Sequence, residues 1–383
     1  MKIAHLADLH LGKSVGRYSM AEDQKYILKQ IAGKAAKKEV DVVLIAGDIF
    51  DDPVPSEEAV VLLDEFLQDL RKTEIDVFLT AGEHDSGIRL EMGASLFEEM
   101  NIHITGKWKG KLVCTDLLDR YGPMHVWCLP YLTAEMVNSY IEEEDQKVSN
   151  VTEAIRHAIR TADIDWNERN ILVAHQYVKG AVTDIYGSAP FADQAEMEVD
   201  PSVFEGFDYV ALGHVHEPQS VGKNTVRYSG PPLNYTFSES ERFEPGFSLV
   251  FLGEKGDYRI STILLEPAHP LETFTGTLDD LMTEENRKRY AHSILRAHFT
   301  DRTELGDRSE EVRKAFPFFA EAVFQTAEEP EESMPATELA KLEEAPLEVF
   351  RQFYELRNGR TMSEEQKEYM AQMAETILPE GKK

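Results

Sequence analysis

The sequence predicts an α/β protein in which helices cover buried sheets, and two observations carry that expectation. Short β-rich apolar runs alternate with amphipathic helical stretches through the first 265 residues. The runs are also continuous rather than alternating, as expected of strands covered on both faces. Candidate strands are 2–7, 41–46 (DVVLIA), 75–80 (IDVFLT), 170–174 (NILVA), 207–212 (FDYVAL) and 247–252 (FSLVFL). Between them, 21–38 and 56–72 read as helices. The second opens on Pro55-Ser56 followed by Glu57 and Glu58, an N-cap with acidic residues in the first turn.

Near Pro267 and Pro270 the pattern changes. Residues 272–325 read as a small β-α-β-α-β unit: ETFTG, a helix capped by Thr277, the strand HSILRAHF, a helix near 308–315, and FAEAVFQ. Next comes EEPEESMPATELAKLEE, with seven acids against one Lys, a solvated linker by composition. Beyond it, 346–378 holds two short helices separated by Asn358-Gly359. The second starts at Ser363 with Gln366 three residues on, a capping-box signature. The expected organisation is therefore 1–266 as the main domain, 267–327 as a small α/β cap, 328–345 as an acidic linker, and 346–383 as C-terminal helices.

A net charge of −30 argues against a protein that grips nucleic acid through a broad basic face. It does not exclude nucleic acid, because divalent metals or a partner subunit can supply positive charge locally. No run of about 18 apolar residues is present, so no membrane span is expected. The opening Met1-Lys2-Ile3-Ala4-His5-Leu6-Ala7-Asp8 meets charge too early for a secretory signal, which points to the cytoplasm. Cys114 and Cys128 lie in apolar stretches and read as two buried thiols.

The polar residues fall where chemistry is expected. Asp8-Leu9-His10 follows the first apolar run, Gly47-Asp48 the second and Gly82-Glu83-His84-Asp85 the third. His175 follows ILVA, and Gly213-His214-Val215-His216 follows YVAL. Each motif alone is weak, since a His or Asp at a strand end is usually just a satisfied polar residue. Five buried strands ending in such groups are hard to explain that way, because functional groups of α/β sheets gather at carboxyl ends. Imidazole mixed with carboxylate suits manganese, iron or zinc, whereas all-oxygen sites suit magnesium or calcium. The donors suffice for two ions about 3.5–4 Å apart. Asp48 is the natural bridge, and Gly47 beside it lets backbone and ions approach closely.

This constellation resembles the calcineurin-like metallophosphoesterases, with their D-x-H, G-D, G-N-H-[DE], H and G-H-x-H pattern. DLHLGK at 8–13, GDIFD at 47–51, VAHQYV at 173–178, LGHVHEPQ at 212–219 and YSGPPLNYTFSE at 228–239 further resemble the SbcD family of bacterial nuclease subunits. The resemblance is most specific through residue 265 and continues more loosely through the cap and LEVFRQFYELRNG. It implies a sandwich of two β-sheets flanked by helices, and a DNA exonuclease and endonuclease working in repair and recombination with an SbcC-type coiled-coil ATPase. It also implies a homodimer within a heterotetramer, associated with the bacterial nucleoid.

Carried over by position, the resemblance implies one metal held by Asp8, His10, Asp48 and His216. The second is held by Asp48, Glu83, His175 and His214, with Mn²⁺ the expected ion at both. His84 would protonate the leaving 3′ oxygen, with Asp85 orienting its ring. Glu83 departs from the family Asn: it can still ligate, but it adds negative charge where phosphate arrives. Two rival readings remain at this stage, a phosphodiesterase for small molecules and a non-catalytic scaffold with a vestigial site. His5 reads as packing. Lys107, Lys109 and Lys111 alternate on an expected hairpin, and these and Arg287-Lys288-Arg289 either touch DNA or are solvated. Tyr177 and Tyr235 either line a substrate groove or pack. Phe350, Phe353 and Tyr354, and Met370, Met373 and Ile377, form stripes suited to a partner's groove or to the chain's own core.

Overall fold

The computed structural model describes residues 1–182, 197–301 and 304–324, with positions 351, 354, 361–363, 366–367 and 369–370. The chain divides into two compact units, Met1–Gln325 and Thr326–Lys383. The acidic linker and most of the expected C-terminal helices lie outside the described residues. Within the second unit, Gln366 N–H donates to Ser363 Oγ at 3.2 Å while Ser363 N–H donates to Gln366 Oε1 at 2.9 Å, the reciprocal cap legible in the sequence.

In chain order the strands of the first unit are β1 (Lys2–Leu6), β2 (Ser14–Val15), β3 (Tyr18–Ser19), β4 (Val42–Ala46), β5 (Asp76–Thr80), β6 (Ile102–Thr105), β7 (Val113–Asp119), β8 (Gly122–Leu129) and β9 (Arg169–His175). They continue as β10 (Tyr209–Gly213), β11 (Gln219–Val221), β12 (Lys223–Tyr228), β13 (Gly246–Leu252), β14 (Tyr258–Leu264), β15 (Leu271–Gly276), β16 (Ile294–Phe299) and β17 (Phe319–Phe324). One six-stranded sheet runs β14-β13-β1-β4-β5-β6 and another runs β11-β12-β10-β9-β8-β7. The centre of each is parallel: β1, β4, β5 and β6 in the first, β12, β10, β9 and β8 in the second.

The two sheets meet face to face. Val42, Leu44 and Phe78 of one pack with Val126, Ile171, Val173 and Tyr209 of the other in a shared buried cluster. Their opposite faces are also covered, so β4 is buried at every residue and its run VVLIA shows no alternation. Over the first sheet lie the helices Ala21–Lys38 and Glu57–Arg71. Ile27, Leu28, Ile31 and Ala35 recur at helical spacing on the buried face of the former. It stops where Glu39 turns left-handed and its N–H returns to Ala35 and Ala36. Ser56 caps the latter by accepting the Ala59 N–H at 3.2 Å. Over the second sheet, the helix Val151–Arg160 buries Ala154, Ile155 and Ala158.

β15, β16 and β17 form a separate parallel sheet with its own core, including Leu278, Leu281, Phe299, Val312 and Phe316. Thr277 and Asp280 make a reciprocal capping box at its first helix. Two expectations fail here. Cys114 is exposed while Cys128 is buried, because β7 is an edge strand and Cys114 lies beside the exposed Val113. Residues 107–111 form no hairpin but an irregular link in which Trp108 is buried, as is Leu112 just after it, and Lys109 pairs with Glu91 at 2.9 Å. No helix among the described residues is long and apolar enough to cross a membrane.

Candidate metal centre

The carboxyl ends of β1, β4 and β5 in one sheet and β9 and β10 in the other deliver the motif residues to one place. Asp8, His10 and His216 bring ligand atoms within 4.8 Å of one another, as do Glu83, His175 and His214. Asp48 lies between the two sets. Its Oδ2 is 3.7 Å from His10 Nε2 and 3.4 Å from His175 Nε2, while Asp8, Asp48 and His175 make a third close group.

The backbone is bent to achieve this. Asp8, His10, Asp48 and His214 all have positive φ, at 53°, 42°, 49° and 99°. Such conformations cost on the order of 1–3 kcal/mol each for a non-glycine residue, and they persist where the surrounding structure enforces them. Glycine is required beside them. A Cβ on Gly47 would stand 2.1 Å from His175 Nδ1, and one on Gly82 would stand 2.1 Å from Asp48 Oδ1.

The donor atoms fit divalent ions better than they fit one another. Asp8 Oδ2, His175 Nε2 and His214 Nδ1 are buried and make no hydrogen bond. Glu83 approaches both histidines, Oε2 at 2.6 Å from His175 Nε2 and Oε1 at 2.6 Å from His214 Nδ1, yet outside hydrogen-bond geometry. On the other side of Asp48, His10 Nε2 and His216 Nε2 face each other at 3.1 Å. Lone pairs converging in this way are what a cation of the borderline class organises.

The histidine atoms pointing away from the centre are fixed differently on its two sides. His175 Nδ1–H donates to the Ala46 carbonyl at 2.7 Å. His216 Nδ1–H donates to Glu239 Oε1 at 2.8 Å, and His10 Nδ1 lies 3.2 Å from Asp51 Oδ1. Burial works against ionising Asp51, but the His10 imidazole beside it and the Lys13 ammonium, which donates to Oδ1 at 2.6 Å, outweigh it and hold its carboxyl down to about 2. Burial likewise opposes charge on Glu83. The charge of the His175 imidazole, with that of His214, each 2.6 Å away, holds it far below the usual carboxylate range. The same neighbours reverse the effect of burial on His175, so Asp48 and Glu83 raise its affinity for a proton.

His84 is 42% exposed, with Nε2 4.0 Å from Asp48 Oδ2, and its Nδ1 bonds the Asp51 carbonyl at 2.8 Å. That bond corrects the expected part played by Asp85, which does not orient the ring. The Asp85 carboxylate accepts N–H groups from Gly82, Ile49 and Phe50 at 2.8, 3.1 and 2.9 Å, tying the β4 and β5 loops together. Three of its lone pairs are used there; burial nevertheless pushes its pKa up to about 6. Tyr235 is buried packing, its hydroxyl on the Leu9 carbonyl, and does not line a groove. Tyr177 lies near the site, its ring 6.1 Å from that of His214. His5 is fully buried between Tyr209 Oη at 2.9 Å and the Leu212 carbonyl at 3.1 Å.

Three contributors were not read from the sequence: Asp51, Glu239, and Tyr131, whose hydroxyl pKa is raised by burial and by Glu83. For Glu239 a signal existed, since Thr236-Phe237-Ser238-Glu239 is a capping-box spacing. The structure forms that box.

Comparison with known proteins supplies the family. The model of the calcineurin-like phosphoesterases matches residues 1–218. A Staphylococcus epidermidis protein, named as the D-type subunit of the nuclease SbcCD, is 32% identical over 310 residues, 79% of this chain and 81% of that one. Among solved structures, a dimetal phosphatase from Danio rerio matches at 13% identity and a TM-score of 0.40, over 68% of this chain and 95% of that one. The protein TT1561 of Thermus thermophilus matches at 13% and 0.39, over 68% and 98%. With its strand-end His and Asp clusters, the chain belongs to the calcineurin-like phosphoesterases and, within them, to the SbcD family of metal-dependent nucleases.

Proposed function

We propose that the chain hydrolyses DNA, trimming double-stranded ends and cutting single strands or hairpins, with two Mn²⁺ ions as its preferred cofactors. The observation that carries this reading is the convergence of six imidazole and carboxylate side chains around a seventh, Asp48. Asp8, His10, Asp48 and His216 hold one ion; Asp48, Glu83, His175 and His214 hold the other. Bound ions supply the positive charge that activates water and neutralises the phosphoryl oxygens. The chain's own residues place that charge, with the backbone at Asp8, His10, Asp48 and His214 bent to positive φ to aim the donors. His84, anchored through Nδ1 and exposed at its other edge, protonates the leaving 3′ oxygen from Nε2. Asp85 holds the loops that carry Asp48 and Glu83 in register.

The acidic chain needs help to hold DNA, and we assign that part to an SbcC-type coiled-coil ATPase in the cytoplasm. A second copy completes the assembly. Val60, Val61, Ile88, Met92 and Leu96 are apolar and between 48% and 80% exposed, side chains that a second copy could cover. The small-molecule rival is tested by incubating the purified chain and Mn²⁺ with labelled hairpin DNA and with a generic phosphodiester. Cleavage of the hairpin supports the nuclease reading. Turnover of the phosphodiester alone overturns it in favour of a small substrate, and no turnover of either favours a scaffold.

A further inference from the structure

We propose that Glu239 is a positioning residue for the metal centre, fixing the His216 imidazole in the tautomer that leaves its Nε2 lone pair facing His10. The proposal rests on the reading of His216 as a ligand. Glu239 is only 7% exposed, and its two oxygens have separate tasks. Oε2 accepts the Tyr235 N–H at 2.7 Å and the Thr236 N–H at 3.3 Å, completing the cap of the helix Phe237–Arg242. Oε1 accepts from His216 Nδ1 at 2.8 Å.

An imidazole that donates from Nδ1 to a carboxylate must present Nε2 as an acceptor, unless it carries a second proton. Here Nε2 points at His10 Nε2, 3.1 Å away, the orientation a shared cation requires. The arrangement is a carboxylate behind a ligating histidine, which fixes the ring and raises its basicity. The cap gives the carboxylate no freedom to turn away, because its other oxygen is held by two backbone N–H groups. The segment also holds the opposite ligand: the Tyr235 hydroxyl donates to the Leu9 carbonyl, and Gln24 Nε2 donates to both Tyr235 Oη, at 3.1 Å, and the His10 carbonyl, at 2.7 Å. The Tyr235 and Glu239 side chains thus fix His10 through its backbone and His216 through its ring.

The test separates cap from tautomer. Glu239→Gln keeps a carbonyl oxygen for the cap but turns an NH₂ toward His216 Nδ1, which favours the opposite tautomer with the proton on Nε2. Thr236→Ala removes the other half of the cap and leaves the Glu239–His216 contact untouched. In Mn²⁺ titrations by calorimetry, Glu239→Gln should weaken one of the two bound ions by about 10–100-fold. Thr236→Ala should lower the melting temperature of the metal-free protein yet leave Mn²⁺ affinity unchanged. In the metal-free protein, ¹⁵N shifts of the His216 ring should show protonated Nδ1 in the wild type and protonated Nε2 in Glu239→Gln. Unchanged Mn²⁺ binding and an unchanged ¹⁵N pattern in Glu239→Gln would leave the residue a cap alone and overturn the proposal. His216→Ala tests the underlying assignment: if it binds both ions normally, His216 is not a ligand and the ligand reading fails first.

Discussion

Around Asp48, the residues on one side and those on the other differ in where their negative charge sits. On the His10–His216 side the inner ring holds one carboxylate besides Asp48, that of Asp8, and two more stand behind the histidines, Asp51 and Glu239. On the His175–His214 side the atom behind His175 is the neutral Ala46 carbonyl, and the charge comes from Glu83 inside the ring. Charge behind a ring strengthens a ligand without meeting the substrate; charge inside the ring ligates directly and faces incoming phosphate. The substitution of Glu for the family Asn therefore alters only one half of the centre.

The sharpest way to break the comparison is to remove what the halves share. Asp48→Ala should cost about 10³-fold or more in DNA cleavage, the several kcal/mol that metal charge contributes to the transition state, measured at saturating Mn²⁺. A mutant with wild-type rate would mean that Asp48 is not the bridge. His84→Ala should lose about 10²–10⁴-fold in rate while calorimetry still finds two ions. Loss of an ion would move His84 from proton donor to ligand, a place its proximity to His10 and Asp48 permits.

The parts of this centre differ in how readable they were. Asp8, Asp48 and His175 were legible because continuous apolar runs such as VVLIA announce buried strands, and the residue after such a run is placed by topology. β12 and β14 were not: their residues are mostly exposed or half-buried, and Lys223–Tyr228 carries no apolar run. Asp and His tolerate positive φ better than most residues, but that tolerance does not mark which four of them adopt it. Asp51 and Glu239 stood inside quoted motifs, but their partners His10 and His216 are brought to them by loops whose course no periodicity encodes. Asp85 was misread because adjacency in sequence to His84 does not mean contact. Its carboxylate instead turns toward backbone N–H groups of its own loop and of the loop after β4.

Smaller effects sharpen the contrast. Glu83→Asn should weaken one ion and not the other, and at saturating Mn²⁺ should cleave DNA at least as fast as the wild type, read from a titration followed by rates. A slower saturated mutant would show that the carboxylate is part of the chemistry. Asp51→Asn should cost the metal-free protein about 1–2 kcal/mol of stability at neutral pH, after allowance for solvent screening. Because the folded-state pKa of Asp51 is depressed from 3.8 to about 2, its contribution is fully present above pH 4 and is lost as pH falls toward 2. Denaturant midpoints of wild type and mutant should therefore converge over that interval; a constant gap would assign the stabilisation to packing.

The division of the centre into two unlike halves is tested most directly by a crystal of the protein soaked in Mn²⁺, with the ions located by anomalous scattering. Two peaks should appear about 3.5–4 Å apart with Asp48 between them. One should lie against Asp8, His10 and His216, with Glu239 still on His216 Nδ1, and the other against Glu83, His175 and His214. A single ion, or two ions with the Glu83 carboxylate swung out of contact, would contradict the account.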